Sequence, residues 1–348
     1  MPVTFANPHR GRGLALDAPF PCDDAKGGAD LLGQCPAHQE TPLLSVPTLA
    51  AHCGVAQIHL KDERNRMGLG SFKALGAAHA IARAAWDVVE GSHWSKALAG
   101  RTFVTASAGN HGLSVAGGAA LFGAQAVIYL AETVPESFAA RLRAKGAEVV
   151  REGNDYEASM DAAETAAARN GWTLLSDSSW PGYSELPYLV MEGYLQLAAE
   201  AAQQIPAPPT HILLQAGVGG LAAAVAAHAR KVWGNAPQII VVEPEAAPAL
   251  MESIRAGKVV DTHGPVSAMG RLDCKTPSMI ALQGLARDAD LFVTLSEEEA
   301  AAAVVTLQTE GLATTPSGGA GIGALLAGLD LPAEARVLAI LSEGPEDA

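Results

Sequence analysis

Apolar residues in this chain come mostly in short runs of three to six, separated by helix-length stretches rich in alanine. The run Ile58-His59-Leu60-Lys61 predicts a short strand, and 72–89, with small residues on one face, a helix. Phe103-Val104-Thr105 is a buried strand leading into a loop, followed by a helix over 113–122 and the strand Ala126-Val127-Ile128-Tyr129-Leu130. A helix over 135–145 ends at Gly146, a common helix stop. Glu148-Val149-Val150 is the next strand and 156–170 the next helix. A Pro-containing loop, 176–183, and a helix over 189–204 lead to Pro206-Ala207-Pro208-Pro209. His211-Ile212-Leu213-Leu214-Gln215, a helix over 221–232, Ile239-Ile240-Val241-Val242-Glu243-Pro244 and Val337-Leu338-Ala339-Ile340-Leu341 complete the pattern. Strands that alternate with helices imply parallel sheets with right-handed crossovers, hence an α/β fold. The first forty residues, rich in Pro, Gly and Asp, read as an irregular surface arm.

Composition narrows this picture. With 348 residues the chain can bury a large core, and its length favours two domains over one. It is 49% hydrophobic but only 5% aromatic, which suits close helix-on-sheet packing. The Pro-rich stretch after 204 marks the return from a smaller α/β domain, 85–204, to a larger discontinuous one, 1–84 and 205–348. A net charge of −14 argues against a nucleic acid or an anionic membrane as partner, so an anionic ligand has to be held by local backbone donors. Thr102 to Ala131 carries no charged side chain, but its glycines break it into strand, turn, helix and strand, not a membrane span. Cys22, Cys35, Cys53 and Cys274 show no metal-ligand spacing and read as reduced thiols of a cytoplasmic protein; no metal is expected. The N-terminus lacks the apolar stretch of a signal peptide.

Three loops carry the candidate chemistry. Lys73 lies in Gly68-Leu69-Gly70-Ser71-Phe72-Lys73, where burial would disfavour the charged amine and leave a Schiff-base nucleophile. Ser107-Ala108-Gly109-Asn110-His111 bridges a strand and a helix. The helix N-terminus can hold a substrate carboxylate and the Asn110 amide can donate to a phenolic oxygen; capping by Ser107 or Asn110 is the plainer reading, and His111 alone is more often structural. Gly217-Val218-Gly219-Gly220-Leu221 follows an apolar strand and opens a helix, a cradle for a phosphate. It is a poor dinucleotide loop, because the only acidic residue ending the next strand, Glu243, is followed at once by Pro244, and no Walker A sequence occurs. Ser342 ends the last strand, where ligands of open α/β sheets gather, and could face a pyridine nitrogen and leave it largely neutral. In this order the loops describe a site for pyridoxal 5'-phosphate.

With those residues in hand, the chain resembles the fold-type II, tryptophan-synthase-β-like pyridoxal-phosphate enzymes, and within them the diaminopropionate ammonia-lyases. Lys61-Asp62-Glu63-x-x-Arg66-x-Gly68-Leu69-x-x-Phe72-Lys73-x-Leu75-Gly76, Asp177-x-x-Trp180-x-Gly182-Tyr183-x-x-x-Pro187 and Ser342-Glu343-Gly344 carry the likeness. It implies two open, twisted α/β domains with the cofactor in the cleft between them, a homodimer, and Lys73 and Asp177 as catalytic groups. The activity it implies is α,β-elimination from a small β-substituted amino acid such as 2,3-diaminopropionate, giving a 2-oxo acid and ammonia. Either Lys73 or Asp177 would take the α-proton. Those lyases commonly carry aspartate where this chain has Ala108, and the local sequence there is similar to serine/threonine dehydratases. A hydroxy amino acid dehydratase and a β-replacement synthase are therefore the alternatives.

Overall fold

The computed structural model describes residues 2–35, 37–89 and 93–345. Its elements in chain order begin with β1 (Val3–Ala6), α1 (Lys26–Leu32), β2 (Leu43–Ser45), α2 (Pro47–Cys53), β3 (Gln57–Asp62) and α3 (Lys73–Trp86). Next come β4 (Thr102–Ala106), α4 (Asn110–Leu121), β5 (Gln125–Leu130), α5 (Glu136–Ala144), β6 (Glu148–Arg151), α6 (Tyr156–Asn170), β7 (Thr173–Leu174) and α7 (Glu185–Gln204). The remainder is β8 (His211–Gln215), α8 (Gly220–Trp233), β9 (Gln238–Pro244), α9 (Ala249–Ala256), α10 (Met279–Asp288), β10 (Leu291–Leu295), α11 (Glu297–Thr309), α12 (Ala320–Leu326) and β11 (Arg336–Leu341).

The strands form two sheets, one of seven strands in the order β1-β10-β9-β8-β11-β3-β2 and one of four in the order β6-β5-β4-β7. The smaller sheet is parallel throughout. The larger is parallel in its middle but closed at both edges by antiparallel strands, β1 on β10 and β2 on β3. Those edges correct two sequence expectations. The sheet is mixed, and the N-terminal segment is not wholly irregular, since it supplies β1 and α1. β1 carries mostly exposed residues, which an edge strand tolerates because one face and one rim meet water. The inner strands are apolar on both faces, and Ile239, Ile240, Val241 and Val242 are fully buried, as a parallel sheet covered by helices requires.

One apolar core runs from the smaller sheet (Phe103, Ile128) through α3, α4, α7 and α8 to the larger (Ile212, Leu214, Ile239). The helices between the sheets approach closely because glycines face their neighbours. A Cβ at Gly76 of α3 would sit 2.5 Å from the Tyr194 ring of α7, and one at Gly193 of α7 would sit 2.5 Å from the Leu75 carbonyl oxygen. One at Gly118 of α4 would meet Ile81 of α3 at 2.9 Å. α3 is thus wedged between the sheets, with Lys73 at its first turn.

Candidate active site

The segment that carries Lys73 is fixed from below by a buried ion network. The Arg66 guanidinium, fully buried, donates to Glu63 at 2.7 Å and 2.8 Å, to Glu200 at 2.6 Å and 3.0 Å, and to Thr41 Oγ1 at 2.9 Å. Lys61 Nζ donates to the same Glu200 at 2.7 Å and to the Thr41 carbonyl. Burial alone would raise the Glu200 pKa, but Arg66 and Lys61 outweigh it and hold the carboxyl at about 2. Lys61, Glu63 and Arg66, which bring the lysine motif its charge, therefore tie β3 to α7 and do not face the reacting groups.

From above, the same segment is held by the end of β11. Phe72 N–H donates to the Ser342 carbonyl at 3.0 Å, Gly344 N–H to the Gly70 carbonyl at 3.0 Å, and Ser71 bridges to Glu343. Lys73 emerges with its amine 5.4 Å from the Phe72 ring centre and 5.9 Å from that of Tyr194, and it donates to Asp177 Oδ2. Side-chain exposures of 20% for Lys73 and 15% for Asp177 place the pair in a recess with limited access to water. Burial pulls the lysine pKa down, but the Asp177 carboxylate more than reverses this and raises it; burial opposes ionisation of Asp177, and Lys73 holds its pKa well below the usual carboxylate range. The expectation of a neutral amine is corrected on this point. Desolvation acts as foreseen, but a charged partner stabilises the ammonium by more.

Asp177 stands in a braced loop after β7. The Tyr183 hydroxyl donates to the Leu174 carbonyl at 2.9 Å and accepts from Ser176 N–H at 3.0 Å, and its ring stacks on Trp180 at 4.3 Å. Ser179 anchors the loop to the start of α10 through Ser278 Oγ at 2.7 Å and Ile280 N–H at 2.9 Å. His111, 4% exposed, donates its Nε2–H to the Leu175 carbonyl at 2.8 Å, and burial lowers its pKa, so the neutral ring braces β7. The ring is engaged through Nε2, and the His111 backbone lies in the first turn of α4.

The other sequence candidates converge here. α4 starts at Asn110, three residues before the expected start, with Gly109 as an N-cap that makes no side-chain bond. Ser107 Oγ accepts from the nearby Gly109 N–H at 3.3 Å, and the Ala108 side chain brings no polar group to the cleft it lines. The Asn110 amide donates to the Glu343 carboxylate, which also accepts from Thr315 Oγ1. Ser342 is 5% exposed at the end of β11. Gly217, Val218 and Gly219 form the turn before α8, whose first residues are Gly220 and Leu221. Gly219 sits at φ +98°, open to glycine at little cost, and no side chain caps the helix. Glu243, by contrast, is buried and accepts from the Leu250 and Met251 N–H groups at 2.7 Å and 2.8 Å, at the start of α9.

Three residues that the sequence does not mark as site residues reach this region. Cys274 approaches the glycine turn, where a Gly217 Cβ would meet its Sγ at 2.9 Å, and burial pushes its thiol up to about 12. Tyr194 is 1% exposed and packs its ring beside the Lys73 amine. Arg271 lies across the Asn110 loop, its Cδ 3.2 Å from where a Gly109 Cβ would be and its guanidinium carbon 5.6 Å from the Phe138 ring centre. Arg141, Arg271, Phe138 and residues 108–110 line one shallow, tightly closed cleft. Cys274 and Arg271 lie outside any helix or strand, where no periodicity marks them.

Comparison with known proteins bears on this geometry. A profile of the family described as pyridoxal-phosphate dependent enzyme matches residues 35–343. The chain belongs to the pyridoxal-phosphate dependent enzyme family. It is 33% identical to the diaminopropionate ammonia-lyase of Salmonella typhimurium over 89% of this chain and 86% of that enzyme. Crystal structures of Escherichia coli diaminopropionate ammonia lyase superpose closely on this fold. The complex with D-serine gives a TM-score of 0.91 at 29% identity, covering 100% of this chain and 95% of that one. The complex with an aminoacrylate–PLP azomethine reaction intermediate gives 0.90 at 29% identity, covering 100% and 94%. Fold-type II architecture and pyridoxal 5'-phosphate as cofactor follow from this membership.

The residues present fit that group. A lysine amine lies in a recess, the first turn of α8 is left uncapped by any side chain, and the turn before it is closed on its other side by Cys274 and Leu272, so that only glycine is accommodated at 217. Among the described residues no helix is long and apolar enough to cross a membrane, and no cluster of three or more His, Cys, Asp or Glu is arranged to hold a metal.

Proposed function

We propose that this chain is an ammonia-lyase that eliminates the β-amino group of a 2,3-diamino acid such as 2,3-diaminopropionate, giving a 2-oxo acid and two ammonium ions. The observation that carries this reading is the half-buried Lys73–Asp177 pair, a proton donor and acceptor held together in the recess. Lys73 would hold the cofactor's aldehyde carbon, the N–H groups of 217–221 its phosphate, Asn110 its phenolic oxygen and Ser342 its ring nitrogen. When bound, pyridoxal 5'-phosphate supplies a conjugated ring that takes up the electron pair left at the substrate α-carbon.

The backbone of 107–111 at the start of α4 receives the substrate carboxylate, using the helix N-terminus and leaving the His111 ring to its structural bond. Once displaced as a free amine, Lys73 takes the α-proton, and Asp177 stabilises the resulting ammonium. The carbon–nitrogen bond at the β-carbon then breaks, and its electron pair leaves with neutral ammonia. The enamine released into water hydrolyses to the 2-oxo acid and the second ammonia. Trp180, Tyr183 and Ser179 hold Asp177 at the required distance, so the loop acts by positioning.

A second reading, loss of water from a hydroxy amino acid, is favoured by Ala108, which offers no carboxylate to a β-ammonium. Assaying 2-oxo acid and ammonia separately decides between the two. Two ammonia per oxo acid from 2,3-diaminopropionate support the first, and one from serine or threonine with none from the diamine supports the second. The reading extends to a homodimer, with the site divided between segments 1–84 with 205–348 and 85–204, and to a cytoplasmic location, in keeping with four free cysteines. Sedimentation of the purified protein tests the dimer.

A further inference from the structure

We propose that Glu343 is a positioning residue for the cofactor: its carboxylate fixes which way round the Asn110 amide sits, so that an N–H meets the phenolic oxygen. This rests on the reading above that Asn110 serves that oxygen, and it names the group that enables Asn110 to do so. An asparagine amide is nearly symmetric in shape but opposite in chemistry at its two ends. Turned one way it offers two donors; turned the other it offers an acceptor that repels an anionic oxygen. Nothing in the asparagine side chain itself chooses between them.

Glu343 supplies the choice. A carboxylate only accepts, so the amide nitrogen has to face it, and Asn110 Nδ2 donates to Glu343 Oε2. That bond uses one of the two N–H groups, and the second has no protein partner among the described residues. The carboxylate is held from its far side as well. Thr315 Oγ1 donates to Oε1 and accepts from the Gly318 N–H at 2.9 Å, so its one proton is committed to Glu343. Arg271 Nε lies 3.9 Å from Oε2 and puts positive charge on the same edge. The stem is fixed by the backbone. The Glu343 carbonyl accepts from Thr314 Oγ1 at 2.6 Å, its main chain bridges to Ser71, and a Cβ at Gly318 would lie 2.9 Å from its Cγ. At 5% exposure, Glu343 meets little water that could compete for these bonds.

The pairing also spans the fold. Asn110 opens α4 beside the smaller sheet, and Glu343 follows β11 of the larger one, 233 residues further along the chain. On either side of Glu343, the Ser342 carbonyl accepts from Phe72 and the Gly344 N–H donates to Gly70. One three-residue segment therefore sets both the lysine mount and the face that Asn110 presents.

Glu343→Gln is the test, because it keeps the shape and inverts the polarity. The new amide oxygen goes to Thr315, its N–H groups then face Asn110, and the Asn110 oxygen has to turn toward them. Affinity of the cofactor-free protein for pyridoxal phosphate is measured by calorimetry, and the visible band of the loaded protein by absorption. Both are compared for the wild type, Glu343→Gln, Thr315→Val, Asn110→Ala and the double variant Asn110→Ala/Glu343→Gln. Glu343→Gln is expected to weaken affinity by about 10-fold, the size of one lost charge-assisted contact, and to displace the band. Neither should change further once Asn110→Ala is present. Thr315→Val, which lets the carboxylate turn, should act in the same direction with a smaller loss, and it carries the test if a thermal melt shows Glu343→Gln unfolded. An effect of Glu343→Gln that is equal in both backgrounds, or absent from the first, overturns the proposal and leaves Glu343 as a tie between the sheets. If Asn110→Ala alone moves neither affinity nor band, the placement of Asn110 at the phenolic oxygen is what fails, and it takes the role of Glu343 with it.

Discussion

Lys73, at the first turn of α3, and Asp177, 104 residues further along the chain, form an ion pair in the recess between the two sheets. The pair sets the charge state of both partners before any ligand is considered. Changing Asp177→Asn removes the charge that raises the Lys73 pKa, so that pKa should fall. Catalysis should drop by roughly 10²- to 10⁴-fold, the usual contribution of a positioned acid–base group. Initial rates, and the pH dependence of the rate at which the protein freed of cofactor captures pyridoxal phosphate, check both; an unchanged midpoint of that dependence would show that the pair does not govern the lysine.

Tyr183→Phe tests the loop that aims Asp177. The phenol bridges the Leu174 carbonyl and the Ser176 N–H, and its loss leaves both without that partner, at a cost of about 1–3 kcal/mol. We expect kcat to fall by about tenfold with KM little changed, because substrate docking on the Asn110 loop is untouched. Steady-state kinetics with a thermal melt separates mispositioning from unfolding.

The ion network under the lysine predicts a pH dependence of stability. Glu200 is held at about 2, below its ordinary value of 4.5, so its contribution is complete above about 4.5 and is lost as pH falls from there toward 2. Glu200→Gln should remove this acid-limb slope. It should also cost about 3–5 kcal/mol near neutrality, since Lys61 and Arg66 would remain buried with a charge unpaired. Urea denaturation of both proteins across pH 3–7 measures each effect.

Gly76→Ala should destabilise by about 1–3 kcal/mol, since its new Cβ would lie 2.5 Å from the Tyr194 ring and 2.7 Å from Val190 Cγ1. Because α3 carries Lys73, a shift of that helix should also weaken cofactor retention. Equilibrium unfolding and dialysis against buffer without pyridoxal phosphate report the two separately.

Much of this arrangement is legible in the sequence. The strand–turn–helix pattern around Asn110 and Gly217 is local, and so both loops and the helix each one opens could be placed from periodicity and glycines alone. Helix starts were read late where polar or Pro residues occupy the first turn. α7 begins at Glu185 and carries Pro187 there, a position that needs no N–H partner. β1 was missed because an edge strand of four largely exposed residues has no apolar face to announce it. The charge of Lys73 could not be read locally, because burial and the Asp177 carboxylate push its pKa in opposite directions and the second comes from a distant segment. Arg271 and Cys274 lay hidden for a related reason. They sit in irregular chain, and only the packing of α10 against the glycine turn brings them to the site.

The contacts Phe72 to Ser342 and Gly70 to Gly344 give the protein an order of assembly. On the ribosome the reactive lysine emerges early, but the strand end that clamps it is made some 270 residues later, at synthesis rates of about 5–20 residues per second. For that interval the nascent polypeptide lacks the upper half of its lysine mount. Competence to capture the vitamin is thereby deferred until that strand end has been made.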